Sequence, residues 1–217
     1  MRLGQAFIPV ILVFLGDQSL RGGEKSLFID KDLTGWEGLI AEHWSYKDSA
    51  LVGLAPQGLK FNTFLCSKRK YGDFELKFQV WLIGKNANSG VQIRSAIFDH
   101  QHFAVKGPQC DMGQVYWASL YGEHHGGKKD KNGLEAGGMM KQAPASLVKK
   151  ALKEGDFNDY YIKCTGKHVT IKLNGKTTVD DDFAKMPETG IIAWQLHGGG
   201  PMEVTFKNLK FRQLGNK

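Results

Sequence analysis

The sequence predicts an all-β sandwich, and three features carry that expectation. Phe74, Leu76, Phe78, Val80 and Leu82 alternate with Glu75, Lys77, Gln79 and Trp81, which gives one apolar face every second residue, as a strand requires. Asn174-Gly175 sits between two alternating runs, and both central positions of a type I′ hairpin turn need the positive φ that these residues tolerate. The 217 residues include 27 glycines and 13 phenylalanines with few helix-like apolar periods, which favours many short strands separated by turns.

Leu27-Phe28-Ile29-Asp30 reads as a short strand, and Asp32-Leu33-Thr34-Gly35-Trp36 as a turn closed by an aromatic. Further strands are expected at 43–46, 50–54 and 59–66, broken at Gly53, Pro56 and Gly58. The long strand 73–82 leads through a Gly/Asn loop into 91–95, and 102–112 pairs with 114–122 around Gly113. From Tyr121 to Asn158 the composition turns to Gly, Lys and His, without regular strands and with one short helix at Ala145–Leu152; such a long connection is often a functional loop or lid. Strands resume at 160–165, 168–173 and 190–197, and the last, 202–214, slips phase near Asn208 as a bulge would.

Residues 1–24 have the parts of a secretory signal and short leader: Met1-Arg2, an apolar run from Ala6 to Leu15, then Gly16-Asp17-Gln18-Ser19. Ten apolar residues fall short of a bilayer span, so export without stable membrane insertion after processing is expected, and residues 25–217 form one domain. The net charge of +7 raises the question of nucleic acid, but the lysines are dispersed and no zinc-finger, RNP or helix-turn-helix pattern accompanies them. Cys66, Cys110 and Cys164 cannot all pair, and their strand-like settings suit buried thiols acting as small hydrophobes.

Three stretches repeat one pattern: Gln92-x-Arg94, Gln109-x-Asp111 and Gln195-x-His197. Side chains two apart on a strand share a face, so each pair projects from the surface opposite Val91 and Ile93, Cys110, or Trp194 and Leu196. A face carrying amide, guanidinium, carboxylate and imidazole groups suits a polar ligand. The alternative is the ordinary solvent side of an antiparallel sheet.

Taken together, Asp32-Leu33-Thr34-Gly35-Trp36, Tyr71-Gly72-Asp73-Phe74-Glu75-Leu76, Asn88-Ser89-Gly90-Val91-Gln92-Ile93-Arg94, Asn174-Gly175, Gly190-Ile191-Ile192-Ala193-Trp194-Gln195-Leu196-His197 and Val204-Thr205-Phe206-Lys207-Asn208-Leu209 form an ordered set. In that order the chain resembles the 3-keto-disaccharide hydrolase family. The resemblance implies a two-sheet jelly roll of the concanavalin A-like lectin and glucanase type, whose concave face holds sugar. It also implies a periplasmic or extracellular enzyme acting on a carbohydrate or oxidised glycoside, or a sugar-binding relative of one. Many members carry a Glu in the middle motif, where this chain has Gly107-Pro108-Gln109-Cys110-Asp111-Met112-Gly113; the acid is missing or moved.

A 3-keto sugar carries an acidified proton at C2, and its removal gives an enolate that expels the oxygen at C1. That chemistry needs a base, a partner for the carbonyl oxygen and an acid for the leaving group. On the resemblance, Asp111 or His197 is the base, Arg94 the oxyanion partner, and His197 or Glu123 the acid. Gln92, Gln109 and Gln195, which donate and accept at once, suit sugar hydroxyls, with Tyr121 and Asn88 beside them. No cofactor is expected; a divalent metal is left open, although the adjacent His124 and His125 lack strict ligand spacing. A non-catalytic lectin-like module is the alternative function.

Overall fold

The computed structural model describes residues 25–27 and 32–215, so the leader and the greater part of the first expected strand lie outside the described residues. The chain runs through β1 (Lys25–Ser26), β2 (Trp36–Glu37), the single turn α1 (Ile40–His43), β3 (Trp44–Lys47), β4 (Ala50–Ala55), β5 (Thr63–Ser67) and β6 (Phe74–Ile83). It continues through β7 (Ser89–Asp99), β8 (Ala104–Met112), β9 (Leu120–Glu123), β10 (Gly138–Lys141), α2 (Ala145–Ala151), β11 (Asn158–Thr165), β12 (His168–Leu173), β13 (Lys176–Asp182), β14 (Ile191–Leu196) and β15 (Met202–Gln213).

The strands form two antiparallel sheets, as the sequence predicts. One has the order β13-β12-β11-β6-β15-β4-β3 with β1 on β15; the other has β10-β9-β8-β7-β14-β5-β2. The expected face of β6 enters the core between them: Phe74, Leu76 and Val80 are fully buried. From the opposite sheet Trp194 of β14 meets them, edge-on to Phe78 at 5.4 Å and tilted on Phe206 at 4.6 Å. Cys66, Cys110 and Cys164 are all unpaired and fully buried, the filler role expected of them.

The turn chemistry agrees with the sequence at two points. Asn174 and Gly175 have φ of 46° and 77°, both left-handed, as a two-residue hairpin of this type needs. In β15 the register slips between Lys207 and Lys210, with Asn208 at φ 55°. Two expectations are corrected. The strand placed at 114–122 starts only at Leu120, because Gly113 (φ 105°) turns the chain into a 3-10 turn at Gln114–Tyr116. The 121–158 connection also contains a strand, β10, which pairs with β9 and extends the sheet.

The departure that matters most lies in β7. Gln92 faces Gln109 of β8, but the next pair is Ala96 with Lys106, so β7 carries one extra residue there. On the other side Ala193 faces Gln92 and Ile191 faces Ser95, so the same residue is extra against β14. Arg94 takes up the slip at φ 48°, and the neighbouring Gly190 makes room: a Cβ on it would lie 2.1 Å from the Arg94 carbonyl carbon. Such a bulge reverses the facing of the residues beyond it.

Arg94 therefore leaves the Gln92 face. Its buried guanidinium donates to Gly72 O at 2.8 Å, to Pro187 O at 3.0 Å, to Gly166 O and to Asp73 Oδ1 at 2.7 Å. It thus ties the second sheet to the start of β6, the β11–β12 turn and the segment before β14. Replacing it takes the guanidinium from three carbonyls and leaves the Asp73 carboxylate with Gly166 N at 2.9 Å in place of a cation. Arg94→Met is expected to cost about 3–5 kcal/mol, the usual loss when one partner of a buried ion pair is removed, read as a lower urea midpoint.

Candidate active site

The outer face of the second sheet is built from the alternation seen in the sequence. In β8, Cys110 points into the core while Gln109 and Asp111 point out; in β14, Trp194 and Leu196 point in while Gln195 points out. These polar side chains do not face solvent. Gln92 and Gln195 are 0% exposed, Gln109 2% and Asp111 4%. Burial of that kind needs hydrogen bonds. Gln109 Nε2 donates to Asp111 Oδ1 at 2.6 Å and to Gln195 Oε1 at 3.2 Å, and Gln109 Oε1 lies 2.8 Å from the Gln92 amide. Gly90 permits this: a Cβ there would meet Gln109 Cδ at 2.6 Å.

Above this floor opens a cleft of about 280 Å³ lined by Asn62, Asn88, Gln109, Asp111, Tyr116, Tyr121, Glu123, Gln195 and His197. The structure thus gathers Asp111, Glu123, His197, Gln109, Gln195, Tyr121 and Asn88, all anticipated from the sequence, into one place. Gln92 lies beneath, in contact with Gln109. Arg94 is the exception. It borders a second cavity, of about 300 Å³, that also takes in His124 and His125, and its side chain is fully buried among Gly72, Asp73, Gly166 and Pro187. The expected oxyanion role for Arg94 is therefore not supported by its position, because the bulge turns its guanidinium elsewhere.

Asn62 and Tyr116 join the site without a signal in the sequence. Asn62 bridges two of its walls: Nδ2 donates to Glu123 Oε1 at 3.1 Å and Oδ1 accepts from Gly198 N at 2.8 Å. It so holds the β9 carboxylate next to the His197–Gly198 turn. His197 is exposed, and its Nδ1 donates to Gly198 O at 2.6 Å, which leaves Nε2 as the other ring nitrogen. Asp111 is also fixed from below, since the Tyr160 hydroxyl reaches across the core from β11 to donate to its backbone carbonyl at 3.0 Å and to accept from Ala118 N at 2.9 Å.

The electrostatics single out Asp111. Burial raises its carboxyl from an ordinary 3.8 to about 7; the Gln109 hydrogen bond opposes that rise and the Glu123 charge adds to it. Tyr121 is raised by burial and by the charges of Glu123 and Asp111, so its hydroxyl keeps its proton and stays a donor. A carboxyl that gains and loses a proton near neutrality, inside a polar cleft, is the equipment of acid–base chemistry. Among the described residues no group of three or more His, Cys, Asp or Glu side chains is placed to hold a metal ion, and no helix is long and apolar enough to cross a membrane.

Residues 23–212 match the family model of the 3-keto-alpha-glucoside-1,2-lyase-like domain. No curated protein matches the chain. Among solved structures, a candidate glycosyl hydrolase from Parabacteroides distasonis is similar at TM-score 0.62 and 22% identity, over 89% of this chain and 100% of that one. The carbohydrate-binding module CBM66 from Bacillus subtilis is similar at TM-score 0.58 and 14% identity, over 83% of this chain and 96% of that one. At these identities the structural likeness establishes the sandwich fold.

The raised Asp111 carboxyl has a consequence for stability. Between its unfolded value of 3.8 and about 7, the folded protein holds a proton that the unfolded chain has released, so stability falls as pH rises through that window. Asp111→Asn, which cannot titrate, is expected to melt above the wild type at about pH 8, with the gap closing toward about pH 4; thermal unfolding over that range checks it.

Proposed function

For a chain that belongs to the 3-keto-alpha-glucoside-1,2-lyase-like family, we propose that the cleft cleaves 3-keto-glycosides by removing the proton beside the ketone, with Asp111 as the base. The observation that carries this reading is the Asp111 carboxyl itself, buried beside Glu123 and His197 and pushed up to about 7. An unperturbed aspartate is too weak a base for carbon acids, whereas one titrating near neutrality balances availability against strength.

In this reading the C2–H bond breaks, the proton passes to Asp111 and the electron pair enters the enolate. The Tyr121 hydroxyl and the Asn88 amide are the donors at the ketone oxygen, the role that Arg94 cannot fill from its position. Collapse of the enolate expels the C1 oxygen, which takes a proton from His197 or Glu123. Addition of water to the unsaturated sugar completes a hydrolysis; release before that step makes the reaction a lyase. Gln195 and Gln109 hold sugar hydroxyls from the floor. The leader-like residues 1–24 go with export, to the periplasm or the medium.

A non-catalytic carbohydrate-binding role is the second reading, and the likeness to CBM66 is the observation for it. A binding module has no need of a carboxyl held near neutrality in its floor.

Incubation of the protein with a 3-keto-glucoside, with and without added divalent metal, is expected to release the aglycone. Asp111→Asn and His197→Ala should each lower kcat by roughly 10² or more. The wild-type kcat/KM should rise with pH through about 7, as Asp111 loses its proton. Absence of turnover under all conditions, together with sugar binding seen by calorimetry, would establish the binding role instead.

A further inference from the structure

The floor of the cleft is a run of buried amides, and its hydrogen bonds can be drawn in two directions. In the first, Ser95 Oγ donates to Gln92 Oε1 at 2.6 Å, Gln92 Nε2 to Gln109 Oε1 at 2.8 Å, and Gln109 Nε2 to Asp111 Oδ1 at 2.6 Å and Gln195 Oε1 at 3.2 Å. Every donor points toward Asp111, which suits a carboxylate. This direction leaves the buried Gln195 Nε2 with no partner. An orphaned buried N–H keeps the full penalty of its lost hydration.

In the second direction the Gln92 amide is turned over. Its two N–H groups then have Ser95 Oγ at 2.6 Å, Pro108 O at 3.2 Å and Gly107 O at 3.3 Å as acceptors in range, and its oxygen faces Gln109 at 2.8 Å. Gln92 makes more bonds this way, but its oxygen needs a donor, so Gln109 must turn as well. The Gln109 carbonyl then lies 2.6 Å from Asp111 Oδ1. Two oxygens at that distance are held together by a proton, so Asp111 must be the neutral acid and donate it. Turning Gln195 brings its nitrogen to the 3.2 Å contact with Gln109 and exchanges an orphaned donor for an orphaned carbonyl, the milder defect.

We propose that Gln92, Gln109 and Gln195 form an amide chain whose direction is set by the proton on Asp111, with Gln109 and Gln92 as positioning residues for that proton. On the cleft side Asp111 is faced by Glu123 and Tyr121 from β9, Tyr116 from the 3-10 turn and His197 across the cleft, and on the core side Cys110 of its own strand and Tyr160 from β11 lie behind it. Burial pushes Cys110, Tyr121 and Tyr160 up, so they remain neutral. Resting on the reading of Asp111 as the base, the chain has a direct use. The carboxylate meets the substrate with a donor on Oδ1; once the proton taken from C2 resides on Oδ1, the amides reverse and accept from the new acid.

The test is nuclear magnetic resonance on the intact protein, following the Asp111 carboxyl carbon and the Gln side-chain nitrogens across neutral pH. Gln92 touches Gln109 and Ser95, yet its side-chain nitrogen is expected to titrate with the Asp111 midpoint of about 7. That response should vanish in Asp111→Asn and persist in Glu123→Gln and His197→Ala. In Gln109→Met, Asp111 should still titrate while Gln92 stays flat. A flat Gln92 in the wild type beside a titrating Asp111 overturns the proposal, and so does a Gln92 that follows Asp111 without Gln109. These readouts need no substrate, so the chain can stand where turnover fails, and turnover can stand where the chain fails.

Discussion

The contents of the cleft depend on one extra residue in β7. Without the slip at Arg94, strict alternation would set a guanidinium next to Gln92, on the face that carries Gln109 and Asp111. A cation there would put a charge among amides that otherwise bond only one another and one carboxyl. With the slip, Ser95 stands beside Gln92 and the cation is spent on Asp73 and three carbonyls at the edge of the core. The same bulge so removes a charge from the floor and fastens the floor to the opposite sheet. The tie between the sheets and the uncharged make-up of the Gln92 end of the floor have a common origin in a left-handed residue that Gly190 leaves room for.

The second constraint is burial on both faces. A sheet in a sandwich ordinarily presents one apolar face inward and one wet face outward. Here the outward Gln92, Gln109, Asp111 and Gln195 of β7, β8 and β14 are buried as well, and these polar groups must satisfy one another. Glutamine suits such a floor because its amide carries both a donor and an acceptor and no charge. Asp111 is the one carboxyl set among the three amides, and the lack of water around it raises its proton affinity.

Much of this is legible in the sequence. The β6 face, the Asn174-Gly175 turn and the phase slip at Asn208 rest on residue types whose backbone preferences are strong. The parity of Gln92, Gln109, Asp111 and Gln195 places them on one face, and the structure brings them together. Arg94 is misplaced by parity because Ile93-Arg94-Ser95 has no glycine, and a β-bulge centred on an arginine leaves no mark in the pattern of apolar residues. Asn62 escapes for another reason: it precedes β5 in an irregular segment, and its role comes from Glu123, 61 residues away. Burial of the polar face is equally hidden, since alternation gives the side of a sheet and says nothing of what covers it.

The three cysteines bear on where such a chain can mature. Each thiol is fully buried and pushed up by burial, so few thiolates form to attack an oxidant or a disulfide. None is engaged as a cross-link, and the sandwich closes on packing, strand pairing and the buried Arg94 and Tyr160 hydrogen bonds. Once folded, the domain is therefore indifferent to the redox state of its surroundings. Its folding calls for no oxidising catalyst.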